Sequence, residues 1–348
     1  GGTGGGGTGG GAGHPSAGSP GPGGTAGTGP GGTAGQAGSP GGAAGSAVTC
    51  AATAYCDNGT CRSRITEFSM PSGKTAASIT RGPDGNLWFA SGGNNCGSIG
   101  RITPLGQITE FDLPTCGASV ASITTGPDGN IWFVGAFSAL LGSATTSGAI
   151  TLFPTPQGAY PTTITAGPDG NLWFGDYMDK IARVTTTGTV TEFPVPTPAS
   201  NPWGIVAGSD GNLWFTEDGK SQIGFMTVTG TVMEIPIASS DRGLEITRGD
   251  DGVLWFTEDS TPKIGRVTPD HTVAEFGSPW MVSPEKIAAG PDGNIWFTDI
   301  GTSSLGRIQP NGTITQYVTA STPLGLTAGP DGNLWFTEGS RIARFAVR

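Results

Sequence analysis

From residue 64 onward, short apolar runs alternate with clusters of Gly, Asp, Asn, Pro and Thr. Runs this short, bounded by turn formers and rich in β-branched and aromatic residues, are strands. One run recurs in a fixed frame. Its cleanest form, Gly-Pro-Asp-Gly-Asn-Leu-Trp-Phe, occupies 82–89 and returns at 126–133, 167–174, 208–215, 249–256, 290–297 and 329–336. Its tryptophans, from Trp88 to Trp335, are spaced by 44, 41, 41, 41, 41 and 39 residues. Asp-Gly and Asn tolerate positive φ and make tight hairpin turns, and the apolar stretch that follows is a buried strand.

Between tryptophans the pattern predicts four strands. In the fourth copy they are Trp203–Ala207, Leu213–Glu217, Gln222–Thr227 and Thr231–Pro236, with turns at Ser209–Asn212 and Val228–Gly230. Four antiparallel strands in about forty residues make one propeller blade. The expected fold is therefore all-β: a seven-bladed β-propeller over 64–348. After Trp335 only one more strand remains, Arg341–Val347, so blade 7 lacks its fourth. The N-terminal segment Ile65-Thr-Glu-Phe-Ser-Met (65–70) matches the fourth-strand pattern of Ile108-Thr-Glu-Phe and Val190-Thr-Glu-Phe. It is expected to complete blade 7 and to latch the ring, which removes open sheet edges.

Composition adds two segments ahead of the ring. Residues 1–47 carry no Asp, Glu, Lys, Arg or aromatic residue and are built mainly of Gly, Thr, Ala, Ser and Pro. Such a stretch cannot bury a core and is expected to be a disordered tether, with a root-mean-square reach of roughly 40 Å. Residues 48–63 hold Cys50, Cys56 and Cys61. Their spacing is not that of a zinc knuckle, and clustered cysteines favour an oxidising compartment. Cys96 and Cys116 fall in loops on one face of blade 1, a geometry that suits a disulfide. The expected setting is extracytoplasmic, either secreted or tethered to a cell surface. No run of eighteen apolar residues exists to span a membrane. With a formal net charge of −10, nucleic acid is excluded as a partner. A monomer is expected.

Candidate chemistry is read by spacing from each tryptophan. The start of each first strand and the end of each second strand share one face of the disc, here called upper, where propeller ligands gather over the channel mouth. Three residues after each tryptophan stand Ser91, Gly135, Asp176, Glu217, Glu258, Asp299 and Glu338. Carboxylates in such an arc repel, so a divalent cation, basic partners or solvent must compensate them. The bland expectation is a solvated rim with Lys220, Lys263 and Arg341 as neighbours. Eleven residues before each tryptophan stand Ala77, Ala121, Thr162, Trp203, Leu244, Glu285 and Leu324. Trp203 is the one large aromatic among them, able either to stack on a ligand ring or to pack at a strand end. Asp176, Tyr177, Trp203, Glu217 and Glu258 are the candidate ligand-binding residues. Glu285 and Glu338 are the candidate catalytic residues, and Asp299 and Glu338 the candidate ligands of Mg²⁺ or Ca²⁺. The expected occupant of the mouth is a small molecule, peptide or glycan. The Asp-Gly-Asn motif and His271 are read as turn residues of the lower face, so no histidine serves the upper one.

The ordered patterns Pro-x-Gly-Ile, Gly-Pro-Asp-Gly-Asn-Leu-Trp-Phe-Thr-Glu, Ile-Gly-Arg-Ile-Thr and Gly-x-Ile-Thr-Glu-Phe-Pro-x-Pro resemble those of the virginiamycin B lyase (streptogramin lyase) family of seven-bladed propellers. The resemblance implies a carbon–oxygen lyase that opens a cyclic depsipeptide at its ester without water. It also implies Mg²⁺ held partly by a glutamate, with histidines as base and supporting groups. Glu338 matches that glutamate. The family histidines begin the first strands of the last two blades, where this chain has Glu285 and Leu324. Leucine cannot abstract a proton, and glutamate does so only if its pKa is raised. The expectation is therefore a binding module. A metal-dependent lyase or lactonase built on the acidic arc is the alternative.

Overall fold

A computed structural model describes residues 54–57, 60–92, 96–135, 138–237 and 242–347. The expected tether and Cys50 lie outside the described residues. Among those residues the chain forms seven four-stranded antiparallel sheets and one two-stranded hairpin, Ala54–Asp57 with Thr60–Ser63, in which Cys56 and Cys61 stand opposite each other. No helix occurs among them.

Each sheet is one blade with its strands in sequence order, except the last. Blade 7 combines Leu326–Ala328, Leu334–Glu338 and Arg341–Phe345 with the N-terminal strand Ile65–Ser69. The closing register runs from Ile65 opposite Phe345 to Ser69 opposite Arg341. The ring is therefore latched as the pattern predicted.

The repeated motif explains the packing. Its tryptophans are at most 4 % exposed and face the following blade, so Trp88 packs with Ile131 and Phe133. The phenylalanine after each faces the preceding blade, so Phe89 meets Trp335. In six blades the turn aspartate accepts a hydrogen bond from the indole N–H four residues on, as in Asp84 with Trp88 at 3.1 Å. Asn86 also donates to Asp84. Burial alone would raise the Asp84 carboxyl, but the bonds from Asn86 and Trp88 outweigh it and hold it below its ordinary value. The motif's first glycine has a steric reason: a Cβ on Gly82 would stand 2.3 Å from Trp88 Cδ1.

Two further sets of side chains join blade to blade. Arg101, Arg183, Arg266, Arg307 and Arg344 each lie 5.6–5.8 Å over the tryptophan of their own blade and also cover the fourth-strand aromatic ring. Arg101, Arg266 and Arg344 reach on to carbonyls in the next blade, Thr146, Pro310 and Pro104. Nearer the channel, Thr216 donates to the Leu244 carbonyl, Thr257 to that of Glu285, and Thr337 to that of Ala77 across the closure. The Cys96–Cys116 disulfide forms, with Cα atoms 4.3 Å apart.

Candidate functional site

In blades 4 to 7 a threonine two places after the tryptophan, Thr216, Thr257, Thr298 and Thr337, fixes the direction of the acid that follows it. Successive side chains on a strand point to opposite faces. Thr216, Thr257 and Thr337 touch the next blade, so Glu217, Glu258 and Glu338 turn towards the preceding one. All five acids are enclosed: Asp176, Glu217, Glu258 and Asp299 are 0 % exposed and Glu338 1 %. A solvated rim is thereby ruled out.

The acids divide by what surrounds them. Asp176 Oδ1 accepts the backbone N–H groups of Tyr160 and Met178, both at 3.0 Å. Asp299 accepts those of Val282 at 2.8 Å, Thr302 at 3.0 Å and Ser283 at 3.3 Å. Both clasp upper-face loops. Neither oxygen of Glu338 receives a hydrogen bond. Arg341 Nε lies 3.6 Å from it, while the same guanidinium holds Glu67 at 2.9 Å and Ser321 Oγ. Burial, then the neighbouring Glu67 carboxyl, push Glu338 up to about 7 against the pull of Arg341.

Glu338 lines a cleft of about 660 Å³ with Leu324, Arg341, Ser321, Thr322 and Ser69. Two of the positions reached by spacing, 324 and 338, thus meet in one cavity. Neither Glu285 nor Asp299 is part of that lining. Glu285 is the second residue of the first strand of blade 6, Pro284–Ala289, beside Lys286, which ion-pairs with Glu245 of blade 5. Burial, with Glu245 and Asp259, raises the Glu285 carboxyl although Lys286 opposes them. For Lys286, burial alone would lower the ammonium, but Glu245 and Glu285 outweigh it and raise it.

A second group spans blades 3 to 5. Tyr177 and Trp203 meet edge to face with centroids 6.2 Å apart, and the Tyr177 hydroxyl donates to Asp218 at 3.2 Å. Arg242 bridges Asp218 at 3.4 Å and Asp259 at 3.2 Å. Burial and the Asp218 charge raise the Tyr177 phenol. Asp259 also acts on Glu285, so this arc runs on towards blade 6. Trp203 belongs to both descriptions: its carbonyl takes the Thr162 hydroxyl at 2.8 Å, and its ring stays partly exposed.

Sequence reasoning overlooked Lys286, Glu245, Arg242 and Glu67. Glu67 was detectable, because the Ile-Thr-Glu-Phe pattern repeats on the fourth strands. Glu245 and Lys286 were detectable as the sole ionisable residues ten places before a tryptophan. For Arg242 the repeat holds no signal.

The family model for virginiamycin B lyase matches residues 48–279 and 205–348. The chain belongs to that family. The solved "Streptogramin B lyase structure" is 35% identical, with a TM-score of 0.76, covering 80% of this chain and 96% of that one. Virginiamycin B lyase from Staphylococcus aureus is 32% identical, with a TM-score of 0.77, covering 82% and 99%. A catalytically inactive histidine-to-alanine variant of the latter, with quinupristin, matches to the same extent. A comparison with curated proteins finds no match. Within the family fold, the cleft at Glu338 is the natural test of a magnesium site. Glu338 offers a metal ion a buried carboxylate whose oxygens accept no hydrogen bond, with Arg341 as its ion-pair neighbour at 3.6 Å. Asp299 brings oxygens already taken by backbone N–H groups. Among the described residues, no three Asp, Glu, His or Cys side chains are grouped to hold a metal.

Proposed function

We propose that this member of the virginiamycin B lyase family binds a small molecule, peptide or glycan over its upper mouth and does not carry out a histidine-dependent elimination. The observation that carries this reading is Leu324. It lines the cleft beside Glu338, two residues ahead of the strand Leu326–Ala328, at the position where the family resemblance calls for a histidine. An aliphatic side chain there offers no base to a proton next to a carbonyl. The inactive histidine-to-alanine variant of the Staphylococcus aureus enzyme supports the same inference. Trp203, Tyr177 and the Asp218–Arg242–Asp259 bridge supply ring faces and paired polar groups for a ligand. Asp176, Glu217 and Glu258 lie beneath the surface, where Asp176 clasps the loop at Tyr160 and Met178. The Cys96–Cys116 disulfide supports an extracytoplasmic setting, with residues 1–47 as tether.

One observation favours a second reading. Glu285 and Glu338 both have raised carboxyls, the condition for a glutamate to act as base near neutral pH. A divalent cation on Glu338 would polarise a carbonyl and make the metal-dependent lyase or lactonase chemistry available.

The two readings part in one assay. The full chain is incubated with a group B streptogramin and with simple lactones, with Mg²⁺ or Ca²⁺ and then with chelator. Saturable binding weakened by Trp203→Ala, without turnover, is the expected result. Chelator-sensitive turnover that disappears in Glu285→Gln would overturn the binding reading.

A further inference from the structure

In three blades the second-strand acid stands opposite a built-in cation. Lys180, Lys263 and Arg341 open the third strands of blades 3, 5 and 7 and face Asp176, Glu258 and Glu338 across the ladder. Each then ion-pairs with a fourth-strand glutamate: Lys180 with Glu192 at 3.1 Å, Lys263 with Glu275 at 2.6 Å and Arg341 with Glu67 at 2.9 Å. One positive charge thus accompanies two carboxylates, the arrangement that makes an enclosed acid tolerable.

Blade 4 keeps both carboxylates in the same registers but not the cation. Glu217 is the second-strand acid, Glu234 the fourth-strand one, and the residue opposite Glu217 is Gln222. Glu217 is 0 % exposed and neither of its oxygens has a hydrogen-bond partner. Its charged neighbours are Glu234 and Asp179, which repel it, and Lys220, which attracts it. Those two acids are fixed in place. Glu234 accepts the Thr197 hydroxyl at 2.7 Å and its N–H at 3.2 Å, and Asp179 accepts the N–H groups of Ala199 at 2.7 Å and Asn201 at 3.1 Å. Lys220 gives Glu217 its backbone N–H, at the carbonyl, while its ammonium bonds neither carboxylate oxygen.

We propose that Glu217, Gln222 and Glu234 hold a monovalent cation of ammonium size, potassium or ammonium itself, where the lysine ammonium belongs in blades 3 and 5. Charge sets the valence: the repeat places a single positive charge with this pair of acids. Size follows from the same comparison, since potassium matches the ammonium head that Gln222 lacks. Hard cations take oxygen ligands, and the Gln222 amide adds one to those of the carboxylates. The site is separate from the cleft at Glu338 and does not depend on the reading of the upper mouth.

The test is thermal unfolding of the full chain at pH 8 and constant ionic strength, in potassium, ammonium or choline chloride. A cation that binds only the folded state stabilises it. The expected result is a saturable rise of about 2–4 °C in potassium and ammonium over choline. Gln222→Lys, which restores the repeat's own ammonium, is expected to reach that Tm in choline and to lose the potassium response. Glu217→Gln keeps the test valid should Gln222→Lys fold poorly, because it too is expected to ignore potassium. Equal Tm in all three salts would overturn the proposal, whether a proton or Lys220 then neutralises Glu217. So would a potassium response that survives in both variants.

Discussion

The Phe225 ring stacks on the Trp214 indole with centroids 4.7 Å apart, at the third-strand position where five other blades carry the arginine over their tryptophan. Three residues change together there. The fourth-strand ring is replaced by Ile235, and the turn of blade 5 carries His271 where blades 1 to 4 and 6 have glycine. Elsewhere that glycine presses on the preceding blade's phenylalanine, so that a Cβ on Gly106 would lie 2.1 Å from Phe68. Ile235 vacates the space, and the His271 ring enters it at 4.9 Å from Phe225 and 5.5 Å from Trp214. It does so at φ 65°, a conformation that suits glycine better. His271 is therefore a packing residue as well as a turn residue. Phe225→Arg alone is expected to cost about 1–3 kcal/mol, because it breaks the ring stack and sets a cation beside Ile235. Combined with Ile235→Phe and His271→Gly it is expected to be nearly neutral, a coupling of about 1–2 kcal/mol readable in urea unfolding.

The N-terminal strand is a second point of leverage. Phe68 stacks on Trp335 at 5.5 Å and Glu67 pairs with Arg341, so residues 64–70 fill blade 7 and cover the edge of Arg341–Phe345. Deleting them is expected to lower stability by at least about 3 kcal/mol, the scale of losing one buried phenylalanine, and to leave an edge prone to self-association. Deleting 1–47 is expected to leave the unfolding midpoint unchanged. Denaturant titration and size-exclusion chromatography of the two truncations decide the matter.

Blade 1 carries its own staple. The Cys96–Cys116 bridge closes a loop of sequence separation 20, worth about 3 kcal/mol of unfolded-state entropy. Changing both cysteines to serine is expected to lower the unfolding free energy by about 2–4 kcal/mol. Reductant should lower the Tm of the native chain and leave that of the double variant unaltered.

Much of this architecture is legible in the chain because each blade restates it. The Asp-Gly-Asn turn and the Trp-Phe pair fix a hairpin locally, and Ile65-Thr-Glu-Phe at the wrong end of the chain reveals the latch. What sequence alone misses lies between blades. Asp84 reads as a turn former, yet it also satisfies the Trp88 indole. Glu217 and Glu338 read as a rim, because spacing along a strand says which face a side chain takes but not that another blade covers that face. The arginine layer over Trp88, Trp173, Trp255, Trp296 and Trp335 is periodic too, but its meaning depends on rings from a different strand.

Glu217 makes the buried acids measurable by pH. Burial, with Glu234 and Asp179, pushes its carboxyl from an ordinary 4.5 up to about 8 against Lys220. Between those values the folded chain keeps a proton that the unfolded chain has lost. The stability this contributes is complete below about pH 4.5 and is lost as pH rises through about 8. In choline chloride, where no small cation competes for the site, the native chain is expected to lose on the order of 3–4 kcal/mol over that range. Glu217→Gln cannot titrate and is expected to flatten that part of the profile. Urea unfolding at pH 5, 6.5 and 8 measures both slopes, and a native profile as flat as the variant's would remove Glu217 as the cause.

Leu324 and Glu285 allow the functional reading to be tested by gain as well as loss. If the mouth lacks turnover because positions 285 and 324 carry the wrong side chains, replacing them should restore it. The backbone is already positioned, since Leu324 N–H bonds the Thr337 carbonyl at 2.7 Å and Glu285 O accepts Thr257 Oγ1 at 2.8 Å. Neither bond involves the side chain to be exchanged. Histidine at 324 would enter the cleft beside Glu338, and histidine at 285 would stand next to the Lys286–Glu245 pair. Leu324→His with Glu285→His is expected to open a group B streptogramin at least about 10²-fold faster than the native chain, the usual scale of one general base. Chelator, or Glu338→Gln added to the pair, is expected to abolish the gain. A double variant that stays folded, binds the antibiotic and remains as inactive as the native chain would show that the mouth differs from its relatives by more than these two residues.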